Sequence, residues 1–243
     1  MNAILEAREL TKRFAGVVAV DECSLSVRGN TITGLIGPNG SGKTTLFNLL
    51  TGYLRADAGS VVFGGHTHRR PDPARLYRHG LSRTFQQARV FPTLTAMENL
   101  VVAAGKPWWS LAARRLPRAE VTRARQLLAE FTLTEHADVL AGELSYGQRK
   151  LLEFAAVLMS SPRLVLLDEP TAGVNPVVIE TMERRIRERH AAGITFLIVE
   201  HDMNLVMRLC DPVIVLDRGA VIATGPPAQV QSDPAVLDAY LGG

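Results

Sequence analysis

The chain has 243 residues, 47% hydrophobic and 21% charged, with 27 basic side chains against 24 acidic ones and a net charge of +3. That usage excludes a disordered or fibrous polypeptide and a strongly basic nucleic-acid binder, and it fits one α/β domain, or a core plus a small subdomain, burying roughly 70–75% of its unfolded surface. Cys23 and Cys210 are too few for a disulfide framework and lack metal-ligand spacing, and no apolar run approaches the ~18–20 residues of a membrane helix.

From the N-terminus, residues 4–6 and 24–27 alternate apolar and polar positions, as in an antiparallel layer. No basic region followed by an apolar stretch opens the chain, so no secretory signal is expected, and the cysteine usage points to the reducing cytosol. Residues 32–36 form an apolar run that ends in glycines and leads into a helix-forming stretch, 44–50; strand, glycine loop and helix open a parallel α/β unit. A basic cluster follows, of His66, His68, Arg69, Arg70, Arg75, Arg78, His79 and Arg83. No run of aromatic side chains interleaves it, Tyr77 standing alone, so it reads as a solvated face rather than a nucleic-acid surface. His66 and His68 have no third ligand nearby and read as a surface pair.

From about 95 to 141 the pattern is helical, with Val121, Ala124, Leu127, Leu128 and Phe131 on one face, which reads as an insertion within the α/β core. Pro107 and Pro117 bracket an irregular stretch whose Trp108 and Trp109 read as filling a gap under that insertion rather than as anchors on a membrane partner. A helix after Ser145 carries Leu151, Leu152, Phe154, Ala155 and Leu158 into a strand at 164–167. The next helix, 178–190, sets Ile179, Met182 and Ile186 on one side and Glu180–Arg184 and Glu183–Arg187 at i,i+4 on the other. A strand at 194–199, a helix from Met203, and a hairpin turning at Asp217-Arg218-Gly219 follow. Such alternation predicts a mainly parallel sheet with helices on both faces.

The strongest local signal is Gly37-Pro38-Asn39-Gly40-Ser41-Gly42-Lys43-Thr44, which fits the phosphate loop G-x4-G-K-[ST]. Its glycines let backbone N–H groups turn inward around phosphate oxygens, and the helix N-terminus behind adds a favourable dipole. Lys43 is suited to reach β- and γ-phosphates and the Thr44 hydroxyl to ligate Mg²⁺. A dinucleotide fingerprint is excluded because Asn39, not glycine, is second after Gly37. Residues 164–169, Leu-Val-Leu-Leu-Asp-Glu, read as a buried strand that delivers Asp168 to a metal and Glu169 to an attacking water, or, taken alone, as a strand ending in a solvated acidic turn. Ser145 in Leu144-Ser145-Tyr146-Gly147-Gln148 reads alone as a plain helix N-cap, and His201 in Ile198-Val199-Glu200-His201-Asp202 as a structural histidine at a strand end.

Taken together and in this order, these segments resemble the ATP-binding cassette (ABC) family, over nearly the whole chain from about Leu5 to Leu241. The resemblance implies a P-loop NTPase (RecA-like) α/β core with an N-terminal antiparallel β layer and a helical subdomain. On this pattern 1–243 is a single ATP-binding domain, with its core at about 1–90 and 155–243 and the helical subdomain at about 91–154. ATP and Mg²⁺ are the implied cofactors. Phe14 would stack on adenine; Gly37, Pro38, Asn39, Gly40, Ser41, Gly42, Lys43, Thr44 and Thr45 would hold the phosphates. Ser145, Gly147 and Gln148 would meet the γ-phosphate bound by an opposite subunit. The metal falls to Thr44, Gln86 and Asp168, and catalysis to Glu169, His201, Lys43 and Gln86, with Gln86 also near the permease contact.

The sequence departs from the common family pattern at Tyr146, where LSGGQ has its first glycine, and at Ala172-Gly173-Val174-Asn175, where S-A-L-D is usual. These variants, Glu200-His201-Asp202-Met203-Asn204 and the C-terminal stretch 233–243 resemble ATPase subunits of branched-chain amino-acid importers, a branch that also carries urea and amide cargo. The insertion around Trp108 and Pro117 favours the larger of that system's two ATPases. The implied partners are two integral-membrane permease subunits, a second ABC ATPase (a paralogue or itself) and, indirectly, an extracytoplasmic substrate-binding protein, with no nucleic acid. The implied location is cytoplasmic, peripheral on the inner face of the cell membrane. Non-transport cassettes of DNA or ribosome processes carry coiled-coil insertions, cysteine pairs or two cassettes per chain, none of which this sequence has.

Overall fold

The fold is taken from a computed structural model that describes residues 2–105 and 118–241. The expectation for Trp108 and Trp109 lies outside the described residues. Strand β1 (Ala3–Phe14) and strand β2 (Val17–Arg28) form one long antiparallel pair, well beyond the short runs that the sequence pattern picks out. The reason is in the register, which shifts four times along the pair, with Glu9 and Glu22 at φ 50° and 39°. Each bulge inserts a residue and flips the in–out alternation, so the period-2 signal breaks although the ladder continues. With β4 (Ala58–Phe63) and β5 (His66–His68) they make a four-stranded antiparallel sheet, ordered β2-β1-β4-β5.

The second sheet comprises β3 (Ile32–Ile36), β6 (Leu81–Arg83), β7 (Leu164–Asp168), β8 (Thr195–Val199), β9 (Val213–Asp217) and β10 (Ala220–Gly225). Its order is β10-β9-β3-β8-β7-β6, parallel throughout except for the β9–β10 hairpin. Every residue of β3, β7 and β8 is buried, as expected for parallel strands covered on both faces. Alternate residues serve opposite cores. Leu164 and Leu166 join Leu46, Phe47 and Leu50 of helix α1 (Lys43–Leu50) beside the antiparallel layer. Val165 and Leu167 face the other way, into the core where Phe131, Phe154 and Phe196 stack edge-on at 5.2 and 6.4 Å between centroids.

Helix α2 (Pro73–Arg78) leads into β6. Between β6 and its neighbour β7 the chain leaves the sheet for helices α3 (Ala96–Ala103), α4 (Arg118–Glu130) and α5 (Tyr146–Leu158). Ala124, Leu127, Leu128 and Phe131 are buried, on the face read from the sequence; between α4 and α5, however, the backbone turns through two short 3-10 segments rather than continuing as helix. Helices α6 (Pro176–Ala191) and α7 (Met203–Leu209) flank β8, and α8 (Pro227–Gln231) and α9 (Pro234–Leu241) end the described chain.

Two sequence expectations fail here. His68 is only 7% exposed, opposite Val61 in the β4–β5 ladder, so His66 and His68 are not a surface pair. Arg83 is not part of a solvated basic face. Its side chain is 5% exposed at the end of β6, where the carboxylate of Asp168 neutralises it. Pairing across 85 residues made a buried site for a side chain that local pattern assigns to solvent.

Candidate functional site

The C-terminal ends of β3, β8, β7 and β6 lie side by side, and each delivers a singled-out segment to the same edge. This is where open α/β sheets bind ligands. Past β3 the chain turns through residues 37–42 into α1. Gly37 has φ 150°, and a Cβ there would lie 2.0 Å from the Leu216 carbonyl oxygen; at Gly42, φ 101° caps α1 and a Cβ would lie 2.3 Å from that of Ala19. Both positions therefore require glycine on conformational and steric grounds. Lys43 Nζ donates to the carbonyls of Gly37 and Pro38, both at 2.8 Å, and burial lowers its pKa against the opposing pull of Glu169.

Thr44, Gln86 and Asp168 line one cavity of about 520 Å³. Asp168 Oδ2 accepts from Arg83 Nη2 at 3.0 Å, while Oδ1 is buried with no hydrogen-bond partner among the described residues. Burial holds this carboxyl above the usual aspartate range, with Arg83 opposing. An unpartnered buried carboxylate oxygen on a residue that lines the same cavity as Thr44 is the oxygen-rich setting that a hard divalent cation takes.

Glu169 follows in the left-handed region at φ 45°, its N–H donating to the Val199 carbonyl at 2.9 Å. A non-glycine residue held there is strained by about 1–3 kcal/mol, a cost concentrated at functional sites. The turn aims its carboxylate sideways, where Oε2 accepts from Gln86 Nε2 at 3.0 Å and Oε1 meets His201 Nε2 at 2.7 Å. Three residues read from separate motifs thus form one hydrogen-bonded group. Beneath it, buried Glu200 accepts from the Thr171 N–H and hydroxyl and from the His201 N–H, tying the ends of β7 and β8 together.

The signature segment stands apart from this cluster. Ser145 and Gln148 form a reciprocal capping box at the start of α5, and Gln148 Nε2 also reaches His136 at 2.8 Å. The Tyr146 ring lies against Gly173, where an added Cβ would be 3.4 Å away. Asn175 caps α6, its Oδ1 accepting from the Val178 N–H at 3.0 Å, so the cap survives without the charge of an aspartate. Phe14 is 46% exposed at the end of β1, with Lys12 Nζ 5.4 Å from its ring centroid.

Sequence reasoning missed four buried charges: Arg83, Lys150, Glu153 and Glu200. Lys150 Nζ donates to the carbonyls of Phe85 and Gln86, and Glu153 Oε1 accepts the N–H groups of Phe85 and Arg89, so α5 clamps the loop on either side of Gln86 in sequence. Burial raises the Glu153 carboxyl and lowers the Lys150 amine, each opposed by the other's charge. A helical wheel offers one clue, since both share the buried face of α5 with Leu151 and Phe154.

The chain is similar to known proteins over nearly its whole length. The family profile described as ABC transporter matches residues 20–172, and one described as branched-chain amino acid ATP-binding cassette transporter matches residues 220–243. The chain is 40% identical to the high-affinity branched-chain amino acid transport ATP-binding protein BraF of Pseudomonas aeruginosa, over 98% of each chain. It is 38% identical to the probable branched-chain amino acid transport ATP-binding protein LivG of Methanocaldococcus jannaschii, over 98% of this chain and 97% of that one. A solved ATP-binding cassette of an ABC transporter in its ADP conformation superimposes with a TM-score of 0.87 at 37% identity, covering all of both chains.

Proposed function

Because the chain belongs to the ABC transporter family, we propose that it is the ATP-hydrolysing subunit of a membrane importer for branched-chain amino acids or related small polar cargo. The observation that carries this reading is the hydrogen-bonded group of Gln86, Glu169 and His201 beside the phosphate loop. On this reading residues 1–243 act as one domain, with a core at about 1–90 and 155–243 and a helical subdomain at about 91–154.

In the mechanism that follows, N–H groups of residues 39–45 cradle the phosphates, Phe14 stacks on the adenine, and Lys43 turns from its loop carbonyls to the β- and γ-phosphates. Thr44, Gln86 and Asp168, the last by its Oδ1, would hold Mg²⁺. When bound, the cation neutralises charge on the transferring phosphoryl group. Glu169 polarises the attacking water and takes its proton; Gln86 and His201 hold that carboxylate in place, and His201 reaches the γ-phosphate. Ser145, Gly147 and Gln148, apart from this cluster, present the N-terminus of α5 to the nucleotide of a second ABC ATPase, paralogue or copy. Two cassettes then close head to tail, a population shift driven by the tighter binding of ATP to the closed pair.

Among the described residues no helix is long and apolar enough to cross a membrane. The chain sits peripherally at the cytoplasmic face, held by two integral-membrane permeases, and an extracytoplasmic substrate-binding protein acts through them. A mainly apolar groove of about 320 Å³ lined by Tyr53, Tyr77, Phe85, Val102 and Val157 adjoins the Gln86 loop and suits a permease segment. A gentle detergent pull-down of the tagged chain from its host, read by mass spectrometry, tests the assignment. Two multi-span permeases and a second cassette support it; ribosomal or DNA-associated proteins alone would overturn the transport role and leave the ATPase chemistry standing.

A further inference from the structure

We propose that Arg83 is a positioning residue for the metal site: its guanidinium fork holds Asp168 Oδ2 and so leaves Oδ1 as the oxygen turned to the cation, which rests on the reading of Asp168 as a metal ligand. Asp168 Oδ2 and Arg83 Nη2 are 3.0 Å apart, with side chains 4% and 5% exposed, and Oδ1 is buried without a partner among the described residues. The guanidinium cannot swing. Nη1 donates to Asn48 Oδ1 at 2.8 Å and Thr51 Oγ1 at 2.9 Å, and Nε to the Thr84 carbonyl at 3.2 Å. Its carbon lies 4.5, 5.2 and 5.9 Å from the ring centroids of Phe85, Tyr53 and Phe47. Tyr53 and Phe85 pack edge to face at 5.3 Å, which closes this aromatic box.

These contacts give the fork a purpose beyond neutralising a buried acid. Asn48 and Thr51 lie on and just past the helix that begins with Lys43 and Thr44, so Arg83 ties the far end of that helix to Asp168. Arg83 also stands three residues before Gln86, with Phe85 stacked on it. One planar cation therefore fixes the spacing among the three segments that carry Thr44, Gln86 and Asp168. A lysine could supply the charge, but not donors diverging in one plane to Asp168, Asn48, Thr51 and the Thr84 carbonyl, nor the flat surface set against the rings.

The test uses the purified full chain and Mn²⁺ as the probe, with free Mn²⁺ read by electron paramagnetic resonance at saturating ADP and ADP affinity measured separately in EDTA. Arg83→Lys is expected to raise the half-saturating Mn²⁺ concentration roughly tenfold, within the 10–100-fold range for partners of metal ligands, and Arg83→Met at least as much. ADP affinity in EDTA should stay within about twofold, which a general loss of structure would not allow. A folded Arg83→Lys protein with the wild-type half-saturation overturns the proposal, and this variant decides alone if Arg83→Met does not fold. Asp168→Asn separates the two levels: unchanged Mn²⁺ binding in that variant overturns the metal-ligand reading itself.

Discussion

Glu153 offers the sharpest test of how the Gln86 loop is held. It is 4% exposed on α5, and its Oε1 accepts the N–H groups of Phe85 at 3.1 Å and Arg89 at 3.2 Å. Glu153→Ala strands both donors, each costing about 1–3 kcal/mol, and removes the acid whose charge most favours the Lys150 ammonium. Part of that loss is offset, because burial already disfavours the ionised carboxyl. The net cost should be about 3–5 kcal/mol, or roughly 6–20 °C in melting temperature for a chain of this size. Glu153→Gln keeps an acceptor oxygen in place and drops the desolvated charge, so it should fall within about 1 kcal/mol of wild type. A folded-state pKa above the usual glutamate value means that the ionised wild type loses stability relative to Glu153→Gln as pH rises from that usual value through the folded one. Circular-dichroism melts of the three proteins at several pH values give the comparison. Equal losses for Gln and Ala would show that charge, not the acceptor, holds the loop; a loss under about 1 kcal/mol for Ala would refute the clamp altogether.

Three further outcomes follow from the site. Glu169→Gln should keep ATP binding and lower turnover by about 10²–10⁴-fold, as for the loss of a water-polarising carboxylate, and wild-type hydrolysis by this variant removes Glu169 from that role. Lys43→Ala should abolish tight nucleotide binding in a fluorescent-ATP titration; unchanged affinity would sink the phosphate-loop assignment. Burial pushes the Cys23 thiol up to about 11 and that of Cys210 to about 12, so both remain protonated and should resist iodoacetamide at pH 8 until the chain unfolds. Labelling of either thiol in the native protein at the rate of a free cysteine would contradict their burial.

What the sequence showed and what it hid divide along a physical line. The phosphate loop was legible because Gly37 and Gly42 answer to backbone sterics, which a local motif records faithfully. Strands β3, β7 and β8 were legible because a fully buried parallel strand leaves an unbroken apolar run. The β1–β2 pair was legible only in fragments, since each register shift resets the alternation on which strand reading depends. Strands β5 and β6, three residues each, carry too short a pattern to stand out, and pairing with β4 and β7 is what makes them strands.

Buried charge is the harder case, because pattern reading takes any Arg, Lys or Glu as a mark of solvent. Arg83 stands among basic neighbours in sequence, yet its partners are Asn48, Thr51 and Asp168, up to 85 residues away. Lys150 and Glu153 likewise bind a loop more than 60 residues earlier. Residues such as Glu169 and His201 stand out in the sequence because they sit at strand ends, where topology converts a local motif into a shared edge. The residues that position them sit inside elements and act through partners that local spacing cannot reveal. The reacting groups of such a site are therefore written locally, and the scaffold that aims them is written in long-range charge pairs, so the variants that separate the two are those at Arg83 and Glu153 rather than at Lys43 or Glu169.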